Sequence, residues 1–326
     1  TLLRLRLDGV LVDALNLSTK VYALLISRIK LLSELKLNVH DQAQDGRFTV
    51  RTHGMEIEIR TSILPGPDGE NIVLRILNPK NIDVKFEDLG MQPWITALME
   101  KELKKPNGMI LTTGPTGSGK TTTLYAFLKK IHSPEIKIIT LEDPIEYHLS
   151  GIEQTQVEAD RGYDFASGLR SILRQDPDVI LVGEIRDKET AETAMQAALT
   201  GHLVFSTLHT NNAAGTVPRL LDLGTKPAVI APALNISMAQ RLIRKLCAQC
   251  RVAAILTDEK QKKLEQELSK LPAGISVPLK EKWTIFKSSD KGCPSCNHGY
   301  KGRIGVYEII LIDSQMEGMI MKEPSE

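Results

Sequence analysis

The sequence contains few aromatic residues, almost no net charge and no long apolar run. Phenylalanine, tryptophan and tyrosine together account for 4% of its 326 residues. Proteins that bind single-stranded nucleic acid usually stack bases on aromatic side chains and attract phosphates with excess basic charge. Here 41 lysines and arginines stand against 40 aspartates and glutamates, a net charge of +1. The composition therefore argues against nucleic-acid binding.

Membrane spans and secretion signals are also missing from the pattern. No apolar run approaches the roughly 18 residues of a membrane-spanning helix, and no signal peptide is recognisable. We therefore expect a soluble, cytoplasmic protein. The chain starts at Thr1, without methionine, directly in an alternating run. We expect it to be a fragment whose N-terminal part is missing.

The length predicts two or three domains. Residues 1–77 combine alternating runs with one helical pattern that starts after Ser18, which predicts a small α+β domain. Residues 78–89 predict a linker. From residue 90 to residue 246, short apolar strands alternate with helices, which predicts an α/β domain with a mostly parallel sheet. Ligands of such sheets bind at the carboxyl ends of the strands.

A phosphate-binding motif lies between a strand and a helix of this second domain. Residues 114–121 read GPTGSGKT. Backbone N–H groups of such a loop, with the following helix N-terminus, bind phosphates. Lys120 would reach the β- and γ-phosphates of ATP, and the Thr121 hydroxyl would bind Mg²⁺. A glycine-rich turn without a ligand is the alternative, but the order of strand, loop and helix favours a nucleotide. The predicted nucleotide-binding residues are Gly114, Pro115, Thr116, Gly117, Ser118, Gly119, Lys120, Thr121 and Thr122.

An acidic residue follows another apolar strand. Residues 178–184 read DVILVGE, the layout of a Walker B motif. Glu184 could orient or deprotonate the water that attacks the γ-phosphate. Alternatively, Glu184 could cap the helix that starts near Asp187. The catalytic interpretation is favoured because the strand is wholly apolar and a phosphate loop is present.

Glu142, Asp143 and Glu146 form a second acidic cluster at a strand end. Three neighbouring carboxylates repel one another without a cation, so we predict that they hold Mg²⁺ with its waters. An exposed acidic turn is the alternative. Glu142 and Glu146 are also further candidates for the catalytic base. His202 and His209 flank one strand, and each could sense the γ-phosphate or have a structural role.

Several arginines could reach a phosphate. Arg170 and Arg174 lie four residues apart, on one face of a predicted helix. Arg47, Arg60 and Arg75 lie in the first domain. An arginine from another domain or subunit can stabilise a phosphoryl group during transfer. On the residues alone, solvated strand arginines are the favoured interpretation.

The cysteines form two C-x-x-C pairs, which are Cys247 with Cys250 and Cys293 with Cys296. Two such pairs in a cytosolic chain predict a closed, structural zinc site with four thiolate ligands. A redox dithiol is the alternative. Residues 247–296 would form the zinc subdomain, with a charged and largely helical insertion at 251–292. Residues 297–326 would return to the ATPase domain as its helical C-terminal part.

Together these motifs resemble the secretion ATPase superfamily, specifically the assembly ATPases of type IV pili and type II secretion. The resemblance covers essentially the whole chain, and the order and spacing of the motifs carry it. The segments concerned are the phosphate loop at 114–121, the Asp box TLEDPIE at 140–146, Walker B at 178–184, the His box STLHTN at 206–211, the four cysteines and GRIGVYE at 302–308.

This resemblance implies a PAS-like N2 domain joined flexibly to a RecA-like ATPase domain, with six subunits in a homo-hexameric ring. It implies that Arg60, Arg75, Arg170 and Arg174 line the nucleotide site and that Arg47 faces it. Retraction ATPases of the superfamily usually lack the four cysteines, so pilus assembly or secretion is favoured. The family's N1 domain, missing here, docks to an inner-membrane platform protein. The implied location is therefore the cytoplasmic face of the inner membrane, reached through partners.

The sequence thus predicts a Mg²⁺-dependent ATPase motor with a structural Zn²⁺ site. ATP would close the first domain onto the second, Glu184 would position water, and hydrolysis would reopen the subunit. Two other functions stay open. One is a RecA-like nucleic-acid translocase, which the charge and aromatic content disfavour, and the other is a nucleotide-gated scaffold with negligible turnover.

Overall fold

The computed structural model of the protein describes residues 1–52, 54–67, 69–77, 84–270 and 284–322. The chain divides into two compact units. The first comprises Thr1, Asn16–Leu242 and Gly305–Glu326, and the second comprises Leu2–Leu15 and Ile243–Ile304. None of the helices in the described ranges is long and apolar enough to cross a membrane.

The elements are numbered in chain order. The strands are β1 (Leu2–Leu7), β2 (Val10–Asn16), β3 (Gln44–Thr52), β4 (Met55–Gly66), β5 (Gly69–Leu77), β6 (Gly108–Thr113), β7 (Ile138–Glu142), β8 (Glu153–Gln156), β9 (Val179–Val182), β10 (Leu203–Leu208), β11 (Leu234–Leu246), β12 (Val252–Ile255), β13 (Thr284–Lys287) and β14 (Tyr300–Leu311). The helices are α1 (Thr19–Leu32), α2 (Pro93–Glu102), α3 (Lys120–Ile131), α4 (Phe165–Leu173), α5 (Lys188–Leu199), α6 (Thr216–Asp222), α7 (Pro227–Ala233), α8 (Asp258–Leu268) and α9 (Ser314–Ile320).

An antiparallel sheet and one helix form the N-terminal part of the first unit. Strands β3, β4 and β5 pair in that order, with β4 in the centre. Helix α1 starts after Ser18, whose side chain accepts a hydrogen bond from the backbone of Val21. The buried apolar side chains of this part include Ile26, Ile29, Ile63 and Leu77. Burial of each stabilises the fold by about 1.5–3 kcal/mol.

A larger, mostly parallel sheet follows in the order β14-β11-β6-β10-β9-β7-β8. The strands from β11 to β8 pair in parallel. The four central strands β6, β10, β9 and β7 are buried along their whole length. Because both faces of such strands are covered by helices, they appear in sequence as continuous apolar runs. The predicted α/β fold with a mostly parallel sheet is therefore confirmed.

Two hydrophobic clusters cover the two faces of this sheet. Met109 and Leu111 of β6 belong to the cluster that includes residues of α4, α5, α7 and α9. Ile110, between them, belongs to the cluster that includes residues of α2 and α3. This alternation follows from the two-residue period of a strand. Because these strands run parallel, their carboxyl ends lie along one edge of the sheet, and the predicted site residues follow the strands at that edge.

The linker prediction at residues 78–89 is only partly within the described ranges. Residues 78–83 lie outside them. Residues 86–89 form a 3-10 turn in which Phe86 and Leu89 are buried. The Phe86 ring lies 5.8 Å from that of Phe127 in α3. The end of the predicted linker is therefore anchored in the core of the α/β domain.

The sequence predicted a helical C-terminal segment, but the structure shows that this segment is not mainly helical. Most of it forms β14, the outer strand of the large sheet, and only α9 is helical. Tyr307 and Ile309 pack against the cluster on the α3 face. Aromatic and β-branched residues at alternate positions favour a strand. The C-terminal part of the chain therefore contributes sheet as well as helix.

The second unit contains the hairpin of β1 and β2, the two-stranded antiparallel sheet of β12 and β13, and the charged helix α8. The hairpin does not belong with residues 16–77, where the sequence analysis placed it. Its turn residue Asp8 accepts a hydrogen bond from Gly302 N at 2.8 Å. The insertion between the cysteine pairs mixes strand and helix, and its residues 271–283 lie outside the described ranges.

Candidate functional site

The phosphate loop joins β6 to α3 and forms a glycine-lined cradle. Gly114, Gly117 and Gly119 have φ angles of +135°, +77° and +92°, which side chains disfavour. A Cβ on Gly114 would lie 2.5 Å from the carbonyl oxygen of Gln240. A Cβ on Gly119 would lie 2.9 Å from Nε2 of the same glutamine. Glycine is therefore required both for the backbone conformation and for the close approach of β11.

The loop is suited to bind a phosphate group because it contains hydrogen-bond donors that have no partner among the described residues. Ser118 is 4% exposed, and its Oγ has no hydrogen-bond partner among the described residues. Leaving a buried hydroxyl unpaired costs about 1–3 kcal/mol. The first N–H groups of α3 also have no partner inside the helix. A phosphate in the cradle would accept hydrogen bonds from both kinds of donor.

Lys120, the first residue of α3, points back into the loop. Its Nζ donates to the carbonyl oxygen of Gly114 at 2.7 Å and lies 3.4 Å from that of Pro115. Burial lowers the pKa of Lys120, the nearby Glu184 carboxylate opposes this, and Arg241 adds to it. Phosphate oxygens would offer Nζ acceptors with more negative charge than these carbonyls. The lysine is thus held beside the cradle by weak partners.

Glu184 follows β9 and is contacted from two sides. One carboxylate oxygen lies 2.5 Å from Nη2 of Arg186, and the other lies 3.5 Å from Nε2 of His209. The Glu184 side chain is 17% exposed. The alternative role as a helix cap belongs to Asp187, whose carboxylate accepts from Thr190 N at 2.8 Å. Glu184 therefore has the surroundings of a held, partly accessible carboxylate.

The three acids of the Asp box point to different partners. Glu142 is 3% exposed and accepts hydrogen bonds from Tyr125, from Thr140 at 2.6 Å and from Gln154 at 3.1 Å. Burial, followed by the Glu142 charge, raises the pKa of Tyr125 well above its usual range. Glu142 is therefore a satisfied core carboxylate.

Asp143 and Glu146 do not join Glu142 in a metal site. Asp143 lies 3.4 Å from Arg186, and Glu146 contacts two arginines of the N-terminal sheet. Among the described residues, the converging groups of three or more potential metal ligands include none of these acids. Neighbouring residues at a strand end point to opposite faces. The three carboxylates predicted to hold Mg²⁺ therefore do not converge on one point in this structure, and the Mg²⁺ site stays a prediction.

The arginines of the N-terminal sheet form a row. Arg47, Arg60 and Arg75 are cross-strand partners on β3, β4 and β5. Arg60 lies 3.5 Å and Arg75 lies 3.4 Å from the carboxylate of Glu146, and Arg60 donates to the carbonyl of Ile145 at 2.9 Å. All three line a cavity of about 550 Å³ that Pro144 also lines. The structure therefore brings these arginines to the Asp box.

The other predicted arginines and His202 have contacts elsewhere. Arg170 pairs with Glu189 of α5, and Arg174 donates to the Arg170 carbonyl at 3.0 Å. His202 Nδ1 lies 2.9 Å from the carbonyl of Ala197 in the turn before β10. Within the described ranges, these three residues contact residues outside the phosphate loop.

The four cysteines of the second unit converge. Their Sγ atoms all lie within 4.8 Å of one another, and none forms a disulfide. Cys247 and Cys293 are separated by 3.8 Å, and Cys250 and Cys296 by 3.6 Å, between Sγ atoms. Tetrahedral ligands with bonds of about 2.3 Å to zinc would be about 3.8 Å apart. Burial raises the pKa of Cys296, but hydrogen bonds with Cys293, Cys250 and Gly299 together outweigh burial and lower the pKa to about 7.

Two basic residues of the site were missed by the sequence analysis. Arg186 bridges Asp143 and Glu184. Arg241 of β11 donates to the Asn211 carbonyl at 2.8 Å, and its charge influences Lys120. Arg186 could have been found, since it follows Glu184 by two residues at a strand end. Arg241 lies 121 residues after Lys120, at a position that only the pairing of β11 with β6 brings near the loop.

The comparisons with known proteins agree across the chain. A family model described as "Type II/IV secretion system protein" matches residues 1–326. The chain is 46% identical over 324 residues to type II secretion system protein E of Pseudomonas aeruginosa, covering 99% of this chain and 62% of that protein. It is 44% identical over 325 residues to type II secretion system ATPase E of Vibrio cholerae, with coverages of 99% and 62%. The chain thus spans 62% of the length of each relative.

A solved structure has the same fold. It is that of the pilus retraction motor PilT with bound ADP, and it superposes with a TM-score of 0.59 at 28% identity. The match covers 98% of this chain and 79% of the other.

Proposed function

Because the chain belongs to the Type II/IV secretion system protein family, we propose that it is the motor part of an ATPase that powers secretion or pilus assembly. The observation that carries this proposal is the phosphate cradle, in which the buried Ser118 hydroxyl has no partner among the described residues and the held carboxylate of Glu184 acts on Lys120. Among the similar proteins, one is named an ATPase and one is a motor with bound ADP.

ATP would bind with its phosphates in the loop of residues 114–121. The backbone N–H groups and Ser118 would donate to phosphate oxygens, and Lys120 would exchange its carbonyl partners for the β- and γ-phosphates. Thr121, at the start of α3, would hold Mg²⁺, which when bound neutralises charge that develops on the phosphates. Thr122 follows in the first turn. The cradle thereby orients ATP and shields it from water on one side.

Glu184 would orient or deprotonate the attacking water. Its carboxylate is held on both sides, by Arg186 and by His209, and remains 17% exposed. A carboxylate that is both held and accessible is what a water-positioning residue requires. Glu142 is a poorer candidate because it already accepts three hydrogen bonds in the core.

The arginine row of the N-terminal sheet would act on the phosphates when ATP binds. In this structure Arg60 and Arg75 contact Glu146, a carboxylate that can be exchanged for a phosphate. Arg47 would be the third member of this row. We also propose that Arg170 and Arg174 line the nucleotide site when ATP is bound; in this structure Arg170 pairs with Glu189 of α5, and Arg174 donates to the Arg170 carbonyl.

The larger assembly follows from the family as a proposal. We propose a homo-hexamer that works at the cytoplasmic face of the inner membrane, on a platform protein of a type II secretion or pilus machine. We also propose a PAS-like fold for the N-terminal domain and a structural Zn²⁺ bound by the four cysteines. The sulfur separations near 3.8 Å support the zinc site.

Phosphate release by the chain, with and without Mg²⁺, tests the proposal. We expect Mg²⁺-dependent turnover that Lys120→Ala abolishes, because the phosphates lose their cationic partner. Lys104→Ala, an exposed lysine outside the loop, is the matched control and should retain the wild-type rate. Turnover that persists in Lys120→Ala would contradict the proposal. A rate that rises and saturates with added DNA would instead favour a nucleic-acid translocase.

A further inference from the structure

A buried glutamine lies beside the phosphate loop and takes no part in the proposed hydrolysis. Gln240 belongs to β11 and is 2% exposed. The residue before it, Ala239, pairs with Thr113, which is the last residue of β6. Gln240 therefore lies next to Gly114, where the loop begins.

Gln240 approaches both ends of the loop. Its carbonyl oxygen lies 2.5 Å from the position that a Cβ on Gly114 would take. Its side-chain Nε2 lies 2.9 Å from the corresponding position on Gly119, the residue directly before α3. Leu242, two residues further along β11, lies 3.3 Å from that same position. Residues two apart on a strand share one face, so one face of β11 forms a wall behind the end of the loop.

The side-chain amide of Gln240 also contacts the first turn of α3. Its Oε1 accepts a hydrogen bond of 2.9 Å from the Thr123 hydroxyl, and Thr123 is fully buried. The backbone N–H of Thr123 donates to the Gly119 carbonyl at 3.0 Å, which closes this turn. The two residues are 117 positions apart in the chain. Their hydrogen bond therefore connects the loop and its helix to a strand that packs beside them.

This hydrogen bond restricts a loop that glycine by itself leaves free. Glycine adopts many backbone conformations, so three glycines permit the cradle but do not select it. A buried amide and a buried hydroxyl hold each other in place, because leaving one of them unpaired costs about 1–3 kcal/mol. A misplacement of about 1 Å in a group that contacts the substrate can cost about 100-fold in rate. The position of the cradle is therefore a property that this pair can control.

We propose that Gln240 is a positioning residue for the phosphate loop, which through its hydrogen bond with Thr123 holds the loop in the conformation that binds the phosphates of ATP. This inference rests on the proposed function. The alternative is an ordinary buried hydrogen bond, which stabilises the fold and leaves nucleotide binding unchanged. The two roles differ in whether nucleotide affinity depends on the hydrogen bond itself or only on the stability of the fold.

The test compares the wild-type chain with Thr123→Val, with Gln240→Met and with the double variant. Each substitution nearly conserves the side-chain volume and removes the hydrogen bond. The Kd of fluorescent ATP and ADP analogues, kcat, KM for ATP and the Tm would be measured for each protein. Tyr22→Phe is the matched control, because it removes a 2.7 Å hydrogen bond from Tyr22 to the Glu70 carbonyl in the N-terminal part of the chain. This control should change the Tm alone.

We expect Thr123→Val and Gln240→Met each to raise the Kd of the ATP analogue and to lower kcat by about 10-fold, together with a lower Tm. Thr123→Ser, which keeps the hydroxyl, should stay within about 3-fold of the wild type. The double variant leaves neither partner unpaired, so its Tm should recover towards the wild-type value. Its nucleotide affinity and kcat should not recover, because the loop still lacks the hydrogen bond.

Two results would overturn the inference. One is wild-type nucleotide affinity in both single variants. The other is recovery of affinity and kcat together with the Tm in the double variant, which would leave only a stabilising hydrogen bond. If a single variant does not fold, the double variant decides. If the wild-type chain binds nucleotide but releases no phosphate, the proposed function fails, and the affinities alone then decide the role of Gln240.

Discussion

The phosphate-loop site of the first unit and the four-cysteine cluster of the second were both predicted from short motifs. They differ in whether the predicted side chains converge in the structure. The cysteine ligands come from two tight turns, and their sulfur atoms converge as the spacing predicted. The acids of the nucleotide site come from separate strand ends, and they acquire separate partners. Each C-x-x-C pair lies within one turn that fixes the geometry of its two thiols, whereas a site assembled at a sheet edge depends on where each side chain points.

The strongest test of this contrast is Glu184→Gln. We expect kcat to fall by at least about 100-fold with nearly unchanged nucleotide affinity, since the variant affects only the orientation and deprotonation of the attacking water. Phosphate release and nucleotide titration measure the two quantities. Glu192→Gln, a half-exposed acid of α5, is the control and should match the wild type. Normal turnover in Glu184→Gln would return the role of base to Glu146.

Loss of the cysteine cluster should not abolish nucleotide binding at the phosphate loop. We expect about one zinc per chain to copurify, and Cys293→Ser to lose most of it because a closed site needs all four ligands. Elemental analysis gives the zinc content, and limited proteolysis should show that residues 247–296 become accessible. Nucleotide affinity should persist. Ser295→Ala, in the same turn, should keep its zinc. A metal-free wild-type protein with four titratable thiols would reject the site.

The arginine row offers a smaller effect. We expect Arg60→Ala and Arg75→Ala each to lower kcat by about 10-fold, less than a single arginine finger contributes, because the two would share one phosphate group. The Tm should change little, since the lost pairs with Glu146 are partly exposed. Arg51→Ala, on the same sheet, is the control. A lower Tm with a normal rate would make the row structural.

The smallest effect on rate should come from Glu142→Gln. This acid accepts three hydrogen bonds in the core, so we expect a loss of about 1–3 kcal/mol in stability with kcat within about 3-fold of the wild type. Thermal unfolding and phosphate release report the two. Glu153→Gln, an exposed residue of β8, is the control. A large fall in kcat at unchanged Tm would restore Glu142 as a catalytic candidate.

Much of the fold was accessible from the sequence. The strands β6, β7, β9 and β10 were predicted because buried parallel strands are continuous apolar runs. The resemblance to secretion ATPases is confirmed by family membership. The C-terminal segment that contains strand β14 was predicted as helical, although its aromatic and β-branched residues at alternate positions favour a strand. The place of the first hairpin depended on contacts with residues more than 200 positions away.

The sequence by itself determined the phosphate cradle, the Walker B acid and the two C-x-x-C pairs. Each depends on backbone geometry within a few residues: glycines that adopt positive φ, a strand that ends in an acid, and two turns that each present a pair of thiols. The tertiary structure alone decided that Glu142 is buried, that Arg60 and Arg75 meet Glu146, and that Arg186 joins Asp143 to Glu184. Burial and charge pairing depend on neighbouring strands and domains, which local sequence does not specify.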